Sequence, residues 1–257
     1  MKAALSIAGS DSGGGAGIQA DLKTFAAFGV HCASVITTVT AQNTREVRAI
    51  HPVPPDIIAA QINAVLDDFA VAAIKVGMLG SADAIEAVAA SLDGHAARPL
   101  VLDPVMIATT GACLLPAGAL DALVRLLIPR ASLLTPNLDE AAALLGEPVA
   151  GDEAGMVRQG TAILRMGASA VLIKGGHATG PHSVDVLVSG RTITRFSRPR
   201  IAVTRTHGTG CRLSSAITAG LANGDTLADA IEAAKAFVTD AIRHPDDVRT
   251  RGIATTS

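Results

Sequence analysis

The segment with the clearest chemical potential is a glycine turn that ends in a cysteine, Gly208-Thr209-Gly210-Cys211. It leads into a helix of small residues, so its backbone N–H groups could converge on an anion at the helix N-terminus. The helix dipole there would lower the pKa of the Cys211 thiol, and a thiolate could accept a proton from a substrate hydroxyl. Spacing alone leaves an ordinary glycine turn and a buried structural cysteine as open alternatives.

Polar residues also follow three short apolar runs that are predicted to be buried strands. They are Asp103 after residues 100–102, Asn137 and Glu140 after residues 133–134, and Lys174 after residues 170–173. Hard oxygen donors at such strand ends could hold Mg²⁺, often through water, and a lysine could contact phosphate oxygens. Each residue taken singly is more typical of an ordinary strand end before a turn, but the shared placement of all of them favours a ligand site.

Two side chains could contact a flat heterocycle. Gln42 follows a β-branched strand, and its amide offers both donors and an acceptor, whereas Met78 could pack against a ring. The alternatives are a turn amide and a core methionine. The glycine-rich residues 9–17 fit neither a Walker A motif nor a dinucleotide fingerprint, and the pattern alone favours solvated aspartates at Asp11 and Asp21.

The order of predicted elements indicates an α/β fold. Residues 5–8, 34–40, 73–76, 100–102, 133–134 and 170–173 are predicted as strands separated by helices, which is typical of a doubly wound, mainly parallel sheet flanked by helices. Residues 184–188 and 192–196 predict a small added hairpin near Gly190. Ligands of such sheets bind beyond the carboxyl ends of the strands.

Composition narrows the class of protein. The 257 residues are 49% hydrophobic, which favours one sizeable core. The formal net charge is −2 and the basic residues form no stripe of the kind that binds nucleic acid, so a small metabolite is the expected ligand. Cys32, Cys113 and Cys211 lie far apart, the histidines show no zinc spacing, and the N-terminal apolar stretch is too short for a signal peptide or membrane span. We expect a cytoplasmic protein with one domain over residues 1–243 and a flexible polar tail over 244–257.

Several segments together resemble the hydroxymethylpyrimidine/phosphomethylpyrimidine kinase family of thiamine biosynthesis, a branch of the ribokinase-like superfamily. The resemblance spans nearly the whole chain. Its motifs are IAGSD (7–11), GGAGIQADLKT (14–24), TAQNT (40–44), KVGML (75–79), LDPV (102–105), TPN (135–137), EA (140–141), KGGH (174–177) and THGTGC (206–211).

The resemblance implies transfer of the ATP γ-phosphoryl group to the hydroxymethyl oxygen and, in bifunctional members, to the resulting monophosphate. It also implies a homodimer, a pyrimidine substrate and Mg²⁺. By matching positions, it places Asp21, Gln42 and Met78 around the pyrimidine, Cys211 as proton acceptor, Gly208 and Gly210 in a backbone anion hole, Asp103, Asn137, Lys174 and Thr209 near the nucleotide, and Glu140 near the metal.

Three departures from the family pattern stand out: Gly13 replaces a frequent serine, Arg205 and Arg212 bracket the anion-hole motif, and the usual C-terminal segment is absent after Pro245. The nearest rival function is a pyridoxal or pyridoxine kinase, against which Gln42 and Met78 argue. A non-catalytic ligand-binding protein of the same fold is the alternative from another class. A nicotinamide oxidoreductase is disfavoured because its fingerprint is missing.

Overall fold

Nine strands form one mixed sheet in the computed structural model, which describes residues 1–43, 45–107, 114–176, 180–201 and 208–243. The strands are β1 (Ala3–Asp11), β2 (His31–Gln42), β3 (Val47–Pro52), β4 (Val71–Val76), β5 (Leu100–Leu102), β6 (Leu133–Leu134), β7 (Val171–Lys174), β8 (His182–Ser189) and β9 (Thr192–Pro199). Their spatial order is β3-β2-β1-β4-β5-β6-β7-β8-β9. Neighbours from β2 to β7 pair in parallel, whereas the pairs β2/β3, β7/β8 and β8/β9 are antiparallel.

Helices cover both faces of this sheet. They are α1 (Gly17–Ala27), α2 (Pro55–Asp68), α3 (Ala82–Asp93), α4 (Ala117–Ala122), α5 (Leu138–Leu145), α6 (Glu153–Leu164), α7 (Thr209–Asn223) and α8 (Leu227–Arg243). Beyond α4 the chain continues through a π-helical turn at Leu123–Leu127 and a 3₁₀ turn at Ile128–Arg130. In the ranges given above, no helix is both long and apolar enough to cross a membrane.

The core has two layers because side chains alternate along each strand. Leu5 and Ile7 of β1 pack on one face with the apolar sides of α2 and α3, whereas Ala4 packs on the opposite face with Phe25 of α1 and Ala219 of α7. The helix α7 is buried along most of its length and contacts β1, β4 and β5. This central position fixes the start of α7 relative to the ends of those strands.

The direction of the winding changes at β1. From β1 the chain adds β2 on one side, but β4 pairs with the other side of β1 and the sheet then continues outward to β7. A crevice opens at such a switch point, beyond the carboxyl ends of the strands, and it is the usual ligand site of doubly wound sheets.

The sequence predictions of a mainly parallel sheet and an added hairpin are confirmed, with Gly190 at positive φ (58°) in the hairpin turn. The strand β1 is longer than predicted because it continues through Gly9 to Asp11. The strand β3 was missed: it is an edge strand whose residues are mostly exposed, so no hydrophobic alternation marks it. The predicted tail at 244–257 lies outside the described residues.

Candidate active site

A cavity of about 480 Å³ opens at the carboxyl ends of the central strands. Every site residue predicted from the sequence lines it except Asp21: Gln42, Met78, Asp103, Asn137, Glu140, Lys174, Gly208, Thr209, Gly210 and Cys211. These residues come from six separate segments of the chain, and the parallel arrangement brings them to one edge of the sheet. Residues that the separate motifs marked as candidates one at a time therefore line a single cavity.

The first glycine loop is folded around a buried carboxylate. Asp11 is 1% exposed, and its carboxylate oxygens accept hydrogen bonds from the backbone N–H groups of Gly13 (2.7 Å), Gly15 (3.0 Å) and Ala16 (2.8 Å). The pattern-based expectation of a solvated aspartate is wrong here. Asp11 shapes the loop instead, and the absence of a side chain at Gly13 leaves room for its carboxylate.

This loop packs directly against the turn that begins α7. Gly208 has φ of 78°, and a Cβ at that position would lie 1.9 Å from the carbonyl oxygen of Gly15. Only glycine can occupy such a position without moving the backbone. Because Gly208 is the N-cap residue, the first N–H groups of α7, including those of Gly210 and Cys211, have no partner within the helix and lie at the cavity.

A buried ion cluster lies beneath this helix start. The Lys174 ammonium donates to Oδ1 of Asp103 at 2.7 Å and lies 3.8 Å from Oε2 of Glu140, while Ser214 of α7 donates to Oδ2 of Asp103 at 3.1 Å. Burial acts to raise the pKa of Asp103, but the charges of Lys174 and Lys75 outweigh it and hold that pKa below its usual value. The carboxylate of Asp103 is therefore ionised and fixes the Lys174 ammonium at the cavity.

Glu140 caps a helix and also has a pKa that its buried position raises. Its Oε2 accepts from the backbone N–H of Asn137 at 2.7 Å and the Asn137 side chain accepts from the Glu140 N–H at 2.8 Å, so the two residues form a capping box on α5. Burial, and then the nearby charge of Asp103, raise the pKa of Glu140 to about 7, against the opposing effect of Lys174. One ammonium thus serves two buried carboxylates, which leaves this end of the cavity short of positive charge.

Asp21 is placed behind the cavity wall rather than in it. It is fully buried, and its carboxylate accepts from Lys75 (2.8 Å), Ser6 (2.6 Å) and Ser215 (2.7 Å). The solvated alternative is wrong for this residue too. A direct contact between its carboxylate and a pyrimidine, as the resemblance implies, is not what these three bonds favour; Asp21 instead holds Lys75, which does line the cavity.

The thiol of Cys211 sits half-buried at the first turn of α7. Burial raises its pKa to about 11, the carboxylates of Asp21 and Asp103 add to that rise, and the charge of Lys75 together with the backbone of Gly17 opposes it. The expectation that the helix dipole favours the thiolate is therefore wrong for the ligand-free site. The thiol therefore predominates near neutral pH, and the thiolate that could accept a proton is a minor form.

The two ends of the cavity differ in character. Gln42 and Met78 line one end, where the Gln42 backbone N–H and C=O are both bonded to the Ser12 hydroxyl. Ile201, Leu213, Val238 and Ile242 give the other end, between β9, α7 and α8, an apolar slot that suits a flat ring. A donor and an acceptor of phosphate at opposite ends would meet at Cys211.

The sequence reading missed two buried ion pairs. Lys75 bonds Asp21, and Lys235 of α8 donates to Asp185 of β8 at 2.5 Å, while Asp185 also accepts from the Gly175 N–H at 3.0 Å. The signal for Lys75 was a charged residue inside the apolar run of β4, which is costly unless it is paired. Lys235 lay on an amphipathic helix where lysine is unremarkable, so it carried no such signal.

Some predicted features lie outside the described residues: Thr44, Cys113, His177, Arg205, Thr206 and His207. Among the residues that are described, no group of three or more His, Cys, Asp or Glu side chains could by itself hold a metal ion. A metal here would depend on few protein ligands.

Comparison with known proteins gives the family. The family model described as "Phosphomethylpyrimidine kinase" matches residues 11–255. The chain belongs to the phosphomethylpyrimidine kinase family.

A relative from Rhizobium meliloti (strain 1021), "Hydroxymethylpyrimidine/phosphomethylpyrimidine kinase", is 53% identical over 95% of this chain and 91% of its own length. "Thiamine biosynthesis bifunctional protein ThiED" of Geobacter sulfurreducens (strain ATCC 51573 / DSM 12127 / PCA) is 50% identical over 93% of this chain, which covers 49% of that protein.

The crystal structure of an ADP complex of Bacillus subtilis pyridoxal kinase superposes with a TM-score of 0.89 at 37% identity, covering 98% of this chain and 95% of that one. The ribokinase-like fold implied by the sequence is confirmed.

Gly208→Ala tests the contact between the glycine loop and the start of α7. The added Cβ must displace the Gly15 carbonyl or the anion-hole N–H groups, so we expect kcat to fall by roughly 10²-fold, as when one oxyanion-hole donor is lost. Gly190→Ala is the matched control, since Gly190 also has positive φ but nothing within 4 Å of its would-be Cβ. It should lose about 1 kcal/mol of stability and keep its kcat; equal kcat in both variants would contradict the role of Gly208.

Proposed function

We propose that this protein transfers the γ-phosphoryl group of ATP to the hydroxymethyl group of 4-amino-5-hydroxymethyl-2-methylpyrimidine and then to its monophosphate, in thiamine biosynthesis. The observation that carries the proposal is the convergence of an open helix N-terminus, the thiol of Cys211 and the Lys174 ammonium on one cavity beside Gln42. The names of the relatives support the substrate. Phosphoryl transfer needs chiefly positioning and charge neutralisation, and this cavity supplies both.

The side chains suggest how the transfer proceeds. Cys211 first loses its own proton to solvent, because only the thiolate can accept another. The hydroxymethyl oxygen then gives its proton to the thiolate sulfur and forms a bond to the γ-phosphorus, while the bond from phosphorus to the bridging oxygen breaks and its electron pair leaves with ADP. Backbone N–H groups of Gly210 and Cys211 receive the phosphoryl oxygens during the transfer. Lys174, held by Asp103, neutralises charge on the nucleotide side.

The donor set near Glu140 fits Mg²⁺. Asp103 and Glu140 share the single ammonium of Lys174, so this part of the cavity has an excess of buried negative charge. Mg²⁺ is commonly held by one or two carboxylates, with phosphates and water completing its shell, which agrees with the small number of protein ligands described here. Glu140 and Asn137 would hold the cation, which would offset the negative charge of the nucleotide phosphates.

Pyridoxal is a second candidate substrate because the superposed Bacillus subtilis structure is a pyridoxal kinase. Both molecules carry a hydroxymethyl group on a flat nitrogen ring. Initial rates with hydroxymethylpyrimidine, its monophosphate and pyridoxal at equal ATP would separate them, and the main proposal requires the highest kcat/KM with a pyrimidine.

We also propose that the protein is a homodimer and that it is located in the cytoplasm. The resemblance supports a homodimer, and the edge strand β3 offers unpaired backbone groups of the kind that pair between chains. Light scattering of the purified protein should give twice the 25.9 kDa chain mass; the mass of a single chain would contradict it. The scattered cysteines support a cytoplasmic location.

Gln42→Ala should weaken pyrimidine recognition and leave ATP use nearly unchanged. The loss of a matched amide leaves polar ring atoms unpaired at about 1–3 kcal/mol, which raises the KM for hydroxymethylpyrimidine roughly 10–100-fold. Gln42→Glu is the matched variant, since it keeps the size and an acceptor but loses the donor. An unchanged pyrimidine KM in Gln42→Ala would remove this residue from the site.

Glu140→Gln should raise the Mg²⁺ concentration needed for half-maximal rate, because it removes one negative charge while Gln can still accept from the Asn137 N–H. Excess Mg²⁺ should restore much of the rate. Glu140→Ala separates the two roles, since it also loses the cap and about 1 kcal/mol of stability. Wild-type activity of Glu140→Gln at limiting Mg²⁺ would refute the metal role.

Cys211→Ser and Cys211→Ala should both lose roughly 10²–10⁴-fold in kcat, since a serine hydroxyl ionises far less readily than a thiol and alanine has no group that could accept the proton. In the wild-type protein kcat/KM should rise with pH above neutrality, because it reports the free protein, in which the pKa of Cys211 is about 11. Near-normal kcat in Cys211→Ser would show that another group takes the proton.

A further inference from the structure

A lysine that the proposed chemistry does not use is buried beside Cys211. Lys75 is the fifth residue of β4, its side chain is 0% exposed, and its ammonium contacts Oδ2 of Asp21 at 2.8 Å. It also lines the same cavity as Cys211. A buried ammonium is costly to keep unless its charge is needed, and replacing such a pair by apolar residues often stabilises a protein.

The chain makes space for this ammonium at the cavity. Gly77 follows two residues later, and a Cβ there would lie only 2.7 Å from Nζ of Lys75. Gly77 is not at positive φ, so backbone conformation does not demand glycine at this position. A side chain at this position would have to displace the Lys75 ammonium, so Gly77 leaves Nζ where Asp21 holds it.

The contact with Asp21 leaves part of the Lys75 ammonium available to other groups. Ser6 of β1 and Ser215 of α7 also donate to the Asp21 carboxylate, at 2.6 and 2.7 Å, so two neutral hydroxyls already satisfy part of its demand for donors. The ammonium keeps further N–H donors beyond the one that Asp21 accepts. Ser215 lies four residues after Cys211, one helical turn on the same face of α7, so Asp21 and Lys75 sit against the face that carries the thiol.

The groups that act electrostatically on the thiol come from every element around it. Lys75 of β4 favours the thiolate, as does the backbone of Gly17 in α1, whereas Asp21 of α1 and Asp103 after β5 oppose it. Lys174, the last residue of β7, also interacts with the charge of Cys211 but is bound to Asp103. Lys75 therefore provides the largest charge effect in favour of the thiolate.

We propose that Lys75 is the positioning residue that enables Cys211 to accept the substrate proton, by placing a buried ammonium where the thiolate forms. Asp21, with Ser6 and Ser215, holds that ammonium in place. The inference deepens the proposed function and rests on Cys211 being the proton acceptor. The proton lost by the hydroxyl is carried on sulfur, and Lys75 keeps all of its own protons throughout.

The test measures alkylation of Cys211 by iodoacetamide as a function of pH in the full chain without ATP or pyrimidine, with the modified site identified by mass spectrometry. A nearby opposite charge lowers the pKa of an acid by roughly one to three units. Removing the ammonium in Lys75→Met should therefore raise the pKa of Cys211 and reduce its thiolate fraction, so alkylation of Cys211 at fixed pH should slow about tenfold or more. Cys32, distant in sequence and bonded to the carbonyls of Leu22 and Val30, is the internal reference and should react at its wild-type rate.

Two double variants complete the test. Lys75→Met/Asp21→Asn removes both charges and avoids a lone buried carboxylate if the single variant does not fold. Because Asp21 opposes the thiolate, this variant is compared with Asp21→Asn alone and should react more slowly at Cys211. Lys235→Met/Asp185→Asn removes another buried Asp–Lys pair of the cavity wall and should leave the Cys211 rate unchanged. An unaltered Cys211 rate in folded Lys75→Met, or equal rates in the first double variant and Asp21→Asn, would overturn the inference.

Kinetics give a second readout, since Lys75→Met should lower kcat for the pyrimidine with little change in its KM. Alkylation needs no substrate, so a wrong substrate assignment would leave the alkylation result unchanged. If Lys75 does not have the proposed role, the alkylation rate of Cys211 in Lys75→Met will match that of the wild-type protein, whichever substrate is correct. The two failures are therefore distinguishable.

Discussion

Paired charge buried under the cavity is the constraint on which this structure depends. Asp21 with Lys75, Asp103 with Lys174, and Asp185 with Lys235 each join two elements at the carboxyl edge of the sheet. Pairs of this kind are weak evidence for stability, because desolvation offsets much of their attraction. Their alignment along one cavity is better explained by the need to fix ammonium groups where a polyanion and a transferring phosphoryl group must sit.

The backbone is also tightly constrained at the same edge. Asp11 accepts hydrogen bonds from N–H groups of the first glycine loop, and that loop approaches Gly208 until no Cβ could fit between them. On the nucleotide side Asp185 accepts from the Gly175 N–H next to Lys174, and a Cβ at Gly175 would meet the Val184 carbonyl at 2.0 Å. Glycine is needed at these two positions because a Cβ would overlap a neighbouring backbone carbonyl.

The elements that could be predicted from the sequence are those that a local residue pattern marks. The apolar runs of β4, β5 and β7 and the hairpin of β8 and β9 were recognisable because burial on both faces and turn chemistry leave a direct mark. The edge strand β3 left none. Among the site residues, position after a strand placed Asp103, Glu140 and Lys174 correctly at the cavity, but pattern could not show that Asp21 faces away from it, since its three partners come from β1, β4 and α7.

Cys211 shows most clearly where local reasoning stops. A helix N-terminus acts within one turn and can be read from sequence, and it favours a thiolate. Desolvation and the two nearby aspartates act through the tertiary structure, and together they raise the pKa of the thiol to about 11. Only the thiolate can accept a proton, so Cys211 must lose its own proton before it can serve the substrate hydroxyl. The buried charge of Lys75 is the largest effect in favour of that loss.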